Sequence, residues 1–208
     1  MSNLGDIGGC NEVIAQIQQL LSNHNRPVVV AVDGGSGAGK SALAFLIQRK
    51  LDTALIPLDG FFSADIPDHR WDEFTAEEKL KRVFDWNRLR YQVIIPLLRG
   101  KTATWRPFDF ESGLRVDGTY GAQDELKQQE PADVILIEGA YSAGPGLANL
   151  VDLTILVEVP VEKRHARLET REEKGFLKRW HQIWDEVESH YFTKVKPKGS
   201  FDVVVSSG

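Results

Sequence analysis

The chain has a single cysteine, Cys10, in 208 residues. No intrachain disulfide can form, and no Cys/His partners stand at zinc-site spacing around it, so Cys10 is expected to be a small, partly buried apolar residue. Long apolar runs are missing too. None approaches the roughly 18–20 residues of a membrane span, and Met1 to Gly9 lacks the basic and apolar stretches of an export signal. A cytoplasmic protein with no membrane partner is expected. There is no surplus of positive charge: 25 Lys and Arg stand against 30 Asp and Glu, a net charge of −5, which argues against nucleic acid as a partner. Low-complexity linkers and internal repeats are also lacking. With 42% hydrophobic and 26% charged residues, residues 1–208 read as one domain large enough to bury a substantial core. A homo-oligomer is compatible with this composition.

What is present begins with Gly34-Gly35-Ser36-Gly37-Ala38-Gly39-Lys40-Ser41, which fits the pattern G-x-x-x-x-G-K-[ST]. It follows the apolar run Val28–Val32 and precedes the helix-forming stretch Ala42–Ile47. Strand before and helix after is the context this motif needs: glycines let the backbone curl so that N–H groups face an anion, and the helix N-terminus adds its positive dipole end. Lys40 is then placed to reach the β- and γ-phosphates, and the Ser41 hydroxyl to ligate Mg²⁺. ATP and Mg²⁺ are the expected cofactors.

Five apolar runs predict strands: Val28–Val32, Ala54–Leu58, Val134–Ile137, Leu153–Val159 and Val203–Val205. They are nearly continuous rather than alternating, as strands covered on both faces by helices should be. With helical patterns between them they predict an α/β fold built on a mostly parallel sheet. Residues 11–23 form an amphipathic helix by their spacing. The stretch from Asp59 to Pro131 exceeds a simple crossover. It holds a capping-box signature, Thr75-Ala76-Glu77-Glu78, a second helix capped by Asp85, and a turn-rich segment from Thr102 to Gly121 with Trp105, Phe108 and Phe110. Residues 60–130 are expected to form the acceptor-binding insertion.

Two acids fall where parallel strands end, the edge at which ligands sit in open α/β sheets. Asp59 follows Ala54–Leu58 and can take the proton of an attacking hydroxyl; Gly60 allows close approach, and Phe61 and Phe62 are candidates for a pocket wall. Glu138 ends Val134–Ile137 and can hold Mg²⁺, which is usually bound by one or two carboxylates plus substrate phosphates. Asp133 and Asp152 precede their strands and belong at the opposite edge. Arg164, Arg167 and Arg171 recur at i, i+3 and i+7, one face of a continuous helix. They are candidates for neutralising a transferring phosphoryl group, although spacing alone fits a solvated helix with Glu162, Glu169 and Glu172 equally well. Lys174, Gly175, Lys178 and Arg179 extend this region into an expected lid over about 164–180. Trp180 and Trp184 are read as packing residues, and His165 and His181 receive no role.

A nucleotide-dependent switch without small-molecule kinase activity is the alternative reading. Against it, no Asn-Lys-x-Asp segment for reading guanine occurs.

These residues, in this order, resemble the uridine kinase-like branch of P-loop kinases, which also includes phosphoribulokinase and bacterial pantothenate kinase. The resemblance runs from about Val28 to the C-terminus through the P-loop, Leu58-Asp59-Gly60-Phe61, Phe84-Asp85-Trp86, Phe108-Asp109-Phe110, Ile137-Glu138-Gly139, the arginine helix and Phe201-Asp202-Val203-Val204-Val205. It implies a three-layer fold with a five-stranded parallel sheet of order 2-3-1-4-5. It also implies transfer of the ATP γ-phosphate to a hydroxyl of a nucleoside such as uridine, a sugar or a pantothenate-like acceptor. Asp59 would be the base, Glu138 and Ser41 would lie near Mg²⁺, and the arginines would close over the phosphates. Two departures concern the acceptor: uridine kinases carry Tyr-Asp-Phe where this chain has Phe108-Asp109-Phe110, and a histidine where it has Gly113.

Overall fold

The structure, a computed structural model, describes residues 9–206. In chain order it runs α1 (Cys10–Asn23), β1 (Val28–Asp33), α2 (Lys40–Gln48), β2 (Thr53–Pro57), α3 (Ala76–Arg82) and α4 (Trp86–Arg88). A π-helical segment, Leu89–Ile94, leads from α4 into α5 (Ile95–Leu98). Then follow β3 (Ala103–Trp105), β4 (Lys127–Gln129), β5 (Val134–Glu138), β6 (Leu153–Glu158), α6 (Val161–Glu169), α7 (Lys174–His190) and β7 (Val203–Ser206). No described helix is long and apolar enough to cross a membrane.

Five strands pair in parallel in the order β2-β5-β1-β6-β7. Numbered among themselves along the chain, they read 2-3-1-4-5, the order the resemblance implied. Successive residues of each strand serve opposite faces, which is why the runs are continuously apolar. On one face Val28, Val30, Val32, Leu136 and Ile155 pack with Val13 and Ile17 of α1 and Leu43 and Ile47 of α2. On the other, Val29, Ile56, Ile135 and Ile137 pack with Leu89, Val93 and Leu97 of the insertion and with Trp184 and Val187 of α7. Those two cores make the three layers.

The local signals in the insertion behave as their chemistry requires. Thr75 and Glu78 close a reciprocal capping box at α3, and the Asp85 carboxylate accepts from the Arg88 N–H at the start of α4. Pro96 has no N–H to return to the preceding turn, and the widened Leu89–Ile94 turn lies just before it. Within the turn-rich Thr102–Gly121 segment the structure adds a strand: Ala103–Trp105 pairs antiparallel with Lys127–Gln129. Asp152 lies at the far edge of the sheet, as expected, bound to Arg26 and the Val29 N–H.

Candidate active site

Parallel strands deliver their carboxyl ends to one edge, and register decides which residues meet there. Glu138 ends β5, paired on one side with Val32 of β1 and on the other with Pro57 of β2. It therefore sits between the strand that feeds the P-loop and the strand that feeds Asp59. Gly139 follows because a Cβ there would stand 2.6 Å from Leu58 Cβ, so only glycine lets β5 end so close to β2.

The P-loop leaves β1 and enters α2 through Gly37 and Gly39, whose φ angles of 79° and 93° are left-handed and favour glycine. Lys40, only 9% exposed, bends back so that its Nζ donates to the Gly35 carbonyl at 3.2 Å, holding an ammonium across the mouth of the loop. The Ser41 hydroxyl lies close enough to the Glu138 carboxylate to lower it. Asp59, in the 3₁₀ turn after β2, is exposed as a residue, although protein packed around its carboxyl group desolvates it.

The charges report the same convergence. Burial raises the Asp59 carboxyl above its ordinary value, while Lys40 and Arg171 oppose the rise. Glu138 is likewise raised, first by burial and further by the Asp59 charge, and is lowered by Lys40, Ser41 and Arg171. Two carboxylates, an ammonium, a hydroxyl and a guanidinium thus act on one another at the sheet edge. The cations and the helix N-terminus suit a polyphosphate, and the hydroxyl–carboxylate pair suits a hard cation that takes oxygen ligands.

The family model for "Phosphoribulokinase / Uridine kinase family" matches residues 29–198. The chain belongs to this family. It is similar to the uridine kinase of Macrococcus caseolyticus, 28% identical over 184 residues covering 83% of this chain and 80% of the relative. It is also similar to the uridine kinase of Streptococcus gordonii, 28% identical over 83% and 79% of the two chains. Among solved structures, a "possible uridine kinase" from Bacillus stearothermophilus superposes with a TM-score of 0.64 at 16% identity, over 93% of this chain and 98% of that one. D-glycerate 3-kinase from Cryptococcus neoformans superposes with a TM-score of 0.61 at 12% identity, over 96% of each chain. The protein is thus a P-loop kinase, and the fold is shared by kinases named for different acceptors.

The structure divides the three arginines of this kinase. They do not share one helical face, because α6 ends at Glu169: the Thr170 hydroxyl takes up the Arg167 carbonyl, and Arg171 falls in the turn beyond. Arg164, 6% exposed, donates to the Ser36 carbonyl at 2.9 Å and forms a two-pronged pair with Glu188 of α7. Glu188 in turn accepts from the Ser36 N–H. Arg167 donates to the Gly37 carbonyl. These two therefore grip the P-loop backbone, and Arg171 is the one whose charge acts on Asp59 and Glu138. The expected lid, 164–180, is two helices and a turn, with Arg179 tied to Asp68 and Asp72 of the insertion.

A cavity of about 290 Å³ lies between the insertion and α7, walled mainly by Phe62, Phe108, Phe110, Tyr120, Trp180 and Trp184, with Asp68 and Arg179 as its charged residues. Phe62 lies three residues beyond Asp59, whereas Phe61 turns fully into the core, correcting the expectation that both would wall the pocket. Trp180 and Trp184 pack on one another and on Phe62, so they serve as both packing and cavity wall. Asp109 closes its own turn by accepting from the Glu111 and Ser112 N–H groups and the Ser112 hydroxyl. At Gly113 a Cβ would meet the Asp109 carbonyl at 2.4 Å. That turn has no room for the histidine of the uridine kinases.

Asp33 is the residue the sequence reading passed over. Fully buried at the end of β1, its carboxylate accepts from the N–H groups of Gly34, Tyr141 and Ala143 and from the Tyr191 hydroxyl. Tyr141 adopts φ 69°, a left-handed conformation uncommon for a side chain of its size, and its N–H is one of those aimed at Asp33. One carboxylate thus ties the start of the P-loop to the loop that follows Glu138.

The positive charge of Arg171 lowers the Asp59 carboxyl, so Arg171→Gln should move the acid limb of the kcat/KM profile to higher pH. With Asp59 as the base it must be ionised to act, and losing a neighbouring cation makes its proton harder to remove. A pH series on the two proteins checks this, and an unmoved limb would separate Asp59 from that limb.

Proposed function

We propose that this kinase transfers the γ-phosphate of ATP to a hydroxyl of a small acceptor bound in the aromatic cavity. The observation that carries the reading is the convergence of Lys40, Ser41, Asp59, Glu138 and Arg171 at one sheet edge, with an aromatic-lined cavity whose wall includes Phe62, three residues after Asp59. In this reading the acceptor oxygen attacks the γ-phosphorus, its proton passes to the Asp59 carboxylate, and the bond to the β-phosphate oxygen breaks to release ADP. Lys40 exchanges its bond to the Gly35 carbonyl for phosphate oxygens, and Arg171 offsets charge on the transferring group. Ser41 and Glu138 would hold Mg²⁺, which when bound neutralises charge on the phosphates. The segment between β2 and β5 supplies the acceptor side, and residues 164–180 cover the donor side.

The cavity lining favours an acceptor with a flat or apolar body over a bare polyol, because aromatic walls reward buried apolar area and stacking. A nucleoside such as uridine and a pantothenate-like molecule both fit that description better than a free sugar does. Phe108 offers no phenol and Gly113 no imidazole, so a uridine bound here relies on stacking more than on hydrogen bonds to those positions. Nucleosides, pantothenate, sugars and sugar phosphates should be compared for acceptor-dependent ADP release with ATP and Mg²⁺. Release well above background is expected with a member of the first two classes, and background rates with every acceptor would sink the proposal.

A further inference from the structure

We propose that His165, His181 and Asp185 form a binding site for a divalent transition-metal ion of the zinc class, stapling α6 to α7 behind the P-loop. One donor atom from each of the three side chains lies within 4.8 Å of the other two. The two imidazole rings meet across the helix pair at a tilt of 52°, their centroids 4.4 Å apart, and His181 Nδ1 sits 2.9 Å from Asp185 Oδ1. His181 and Asp185 are one turn apart on α7, so both project from the same side of that helix. On its own, that spacing describes an ordinary helical ion pair. The third donor comes from a different helix, and it is what makes the group a site.

Chemistry selects the ion. Two imidazole nitrogens and one carboxylate oxygen, with a fourth position left for water, form a donor set suited to Zn²⁺. Mg²⁺ takes oxygen ligands in octahedral array, so this site and the Ser41–Glu138 pair would sort the two cations. Distance is compatible as well: donors on a tetrahedral zinc with bonds of about 2.0–2.1 Å stand about 3.3 Å apart, so no pair has to close by more than about 1.5 Å, and the His181–Asp185 pair, at 2.9 Å, has only to open slightly. The side chains of His181 and Asp185 are 27% and 51% exposed, and His165 is half-buried, which leaves room for that rotation.

The location gives the site a consequence. His165 adjoins Arg164, and Asp185 lies three residues before Glu188. Arg164 and Glu188 are the pair that clasps both the N–H and the carbonyl of Ser36 in the P-loop. An ion bridging the neighbouring residues holds the two halves of that clasp together without touching the phosphate site.

The test uses the full-length protein without nucleotide, in excess Mg²⁺ to occupy the oxygen-ligand site, titrated with ZnCl₂ by calorimetry and with Co²⁺ by its visible absorption. One equivalent should bind, and the thermal midpoint should rise with free Zn²⁺ as binding to the folded state requires. Asp185→Asn, at an exposed position, should keep the fold and weaken Zn²⁺ by about tenfold or more. His181→Ala should abolish the Co²⁺ bands. The proposal is overturned by a lack of saturable binding, or by unchanged affinity in both variants, which would place the ion elsewhere, such as at Cys10. None of these readouts depends on the kinase reaction.

Discussion

Asp59→Asn should lower kcat for acceptor phosphorylation by about 10²–10⁴-fold, the range that a positioned general base contributes, while ATP still binds. The substitution keeps the size of the side chain and removes only its capacity to take a proton. ATP affinity should hold or tighten, because Asp59 is outside the P-loop and its negative charge acts on Lys40. The acid limb carried by Asp59 should also vanish from the pH profile. In the wild type that limb should lie above the ordinary aspartate range, since burial raises the carboxyl and Lys40 and Arg171 only partly oppose it. Steady-state kinetics, with ATP affinity measured separately, distinguishes two roles. If kcat falls and the Mg²⁺ requirement is unaltered, Asp59 acts on the acceptor proton. If the loss is rescued by raised Mg²⁺, the residue holds the metal instead. An unchanged kcat removes it from the mechanism.

The candidate site was legible in the sequence wherever it is built from a few consecutive residues. The P-loop is eight residues between a strand and a helix, and Asp59 and Glu138 each terminate an apolar run, so position along the chain already fixes their edge of the sheet. Legibility failed where partners come from distant segments. Asp33 follows the Val28–Val32 run with no signal of its own, and its acceptor role rests on Tyr141, Ala143 and Tyr191, at sequence separations of 108, 110 and 158. The cavity draws on residues 62–71, 108–120 and 176–184, and only tertiary packing turns those aromatics toward one another. The arginine spacing misled at a single point, because a hydroxyl at Thr170 ends the helix before Arg171. The β3–β4 hairpin escaped notice because Lys127–Gln129 is polar and too short to show alternation. His165 and His181 carry no spacing signal, because they stand on different helices and meet with Asp185 only in the folded chain.

Asp33→Ala should produce the largest loss of stability of any single substitution near the site, about 3–5 kcal/mol. The reason is not the lost side chain but the donors it leaves behind. Three N–H groups and one phenol lie in a buried region, and each orphaned donor costs about 1–3 kcal/mol unless water or local movement relieves it. For a chain of this size that corresponds to a thermal midpoint lower by about 6–20 °C. Tyr191→Phe removes one of the four bonds and leaves the carboxylate its three backbone donors, so it should cost less, about 1.5–3 kcal/mol. Unfolding curves of the three proteins supply the comparison, and equal losses for the two variants would mean that the phenol alone carries the cluster. Proton linkage gives a second handle. Burial raises the Asp33 carboxyl, and Tyr191 and the backbone donors only partly oppose it. The folded protein therefore binds that proton more tightly than the unfolded chain, and this contribution to stability falls as pH rises from about 3.9, the unfolded value, through the folded one. Asp33→Ala abolishes the term, so the wild-type advantage over the variant should shrink with rising pH across that window. Because the same carboxylate holds the Gly34 N–H, ATP affinity should fall in the variant even at temperatures where it remains folded, linking the buried end of β1 to the mouth of the P-loop.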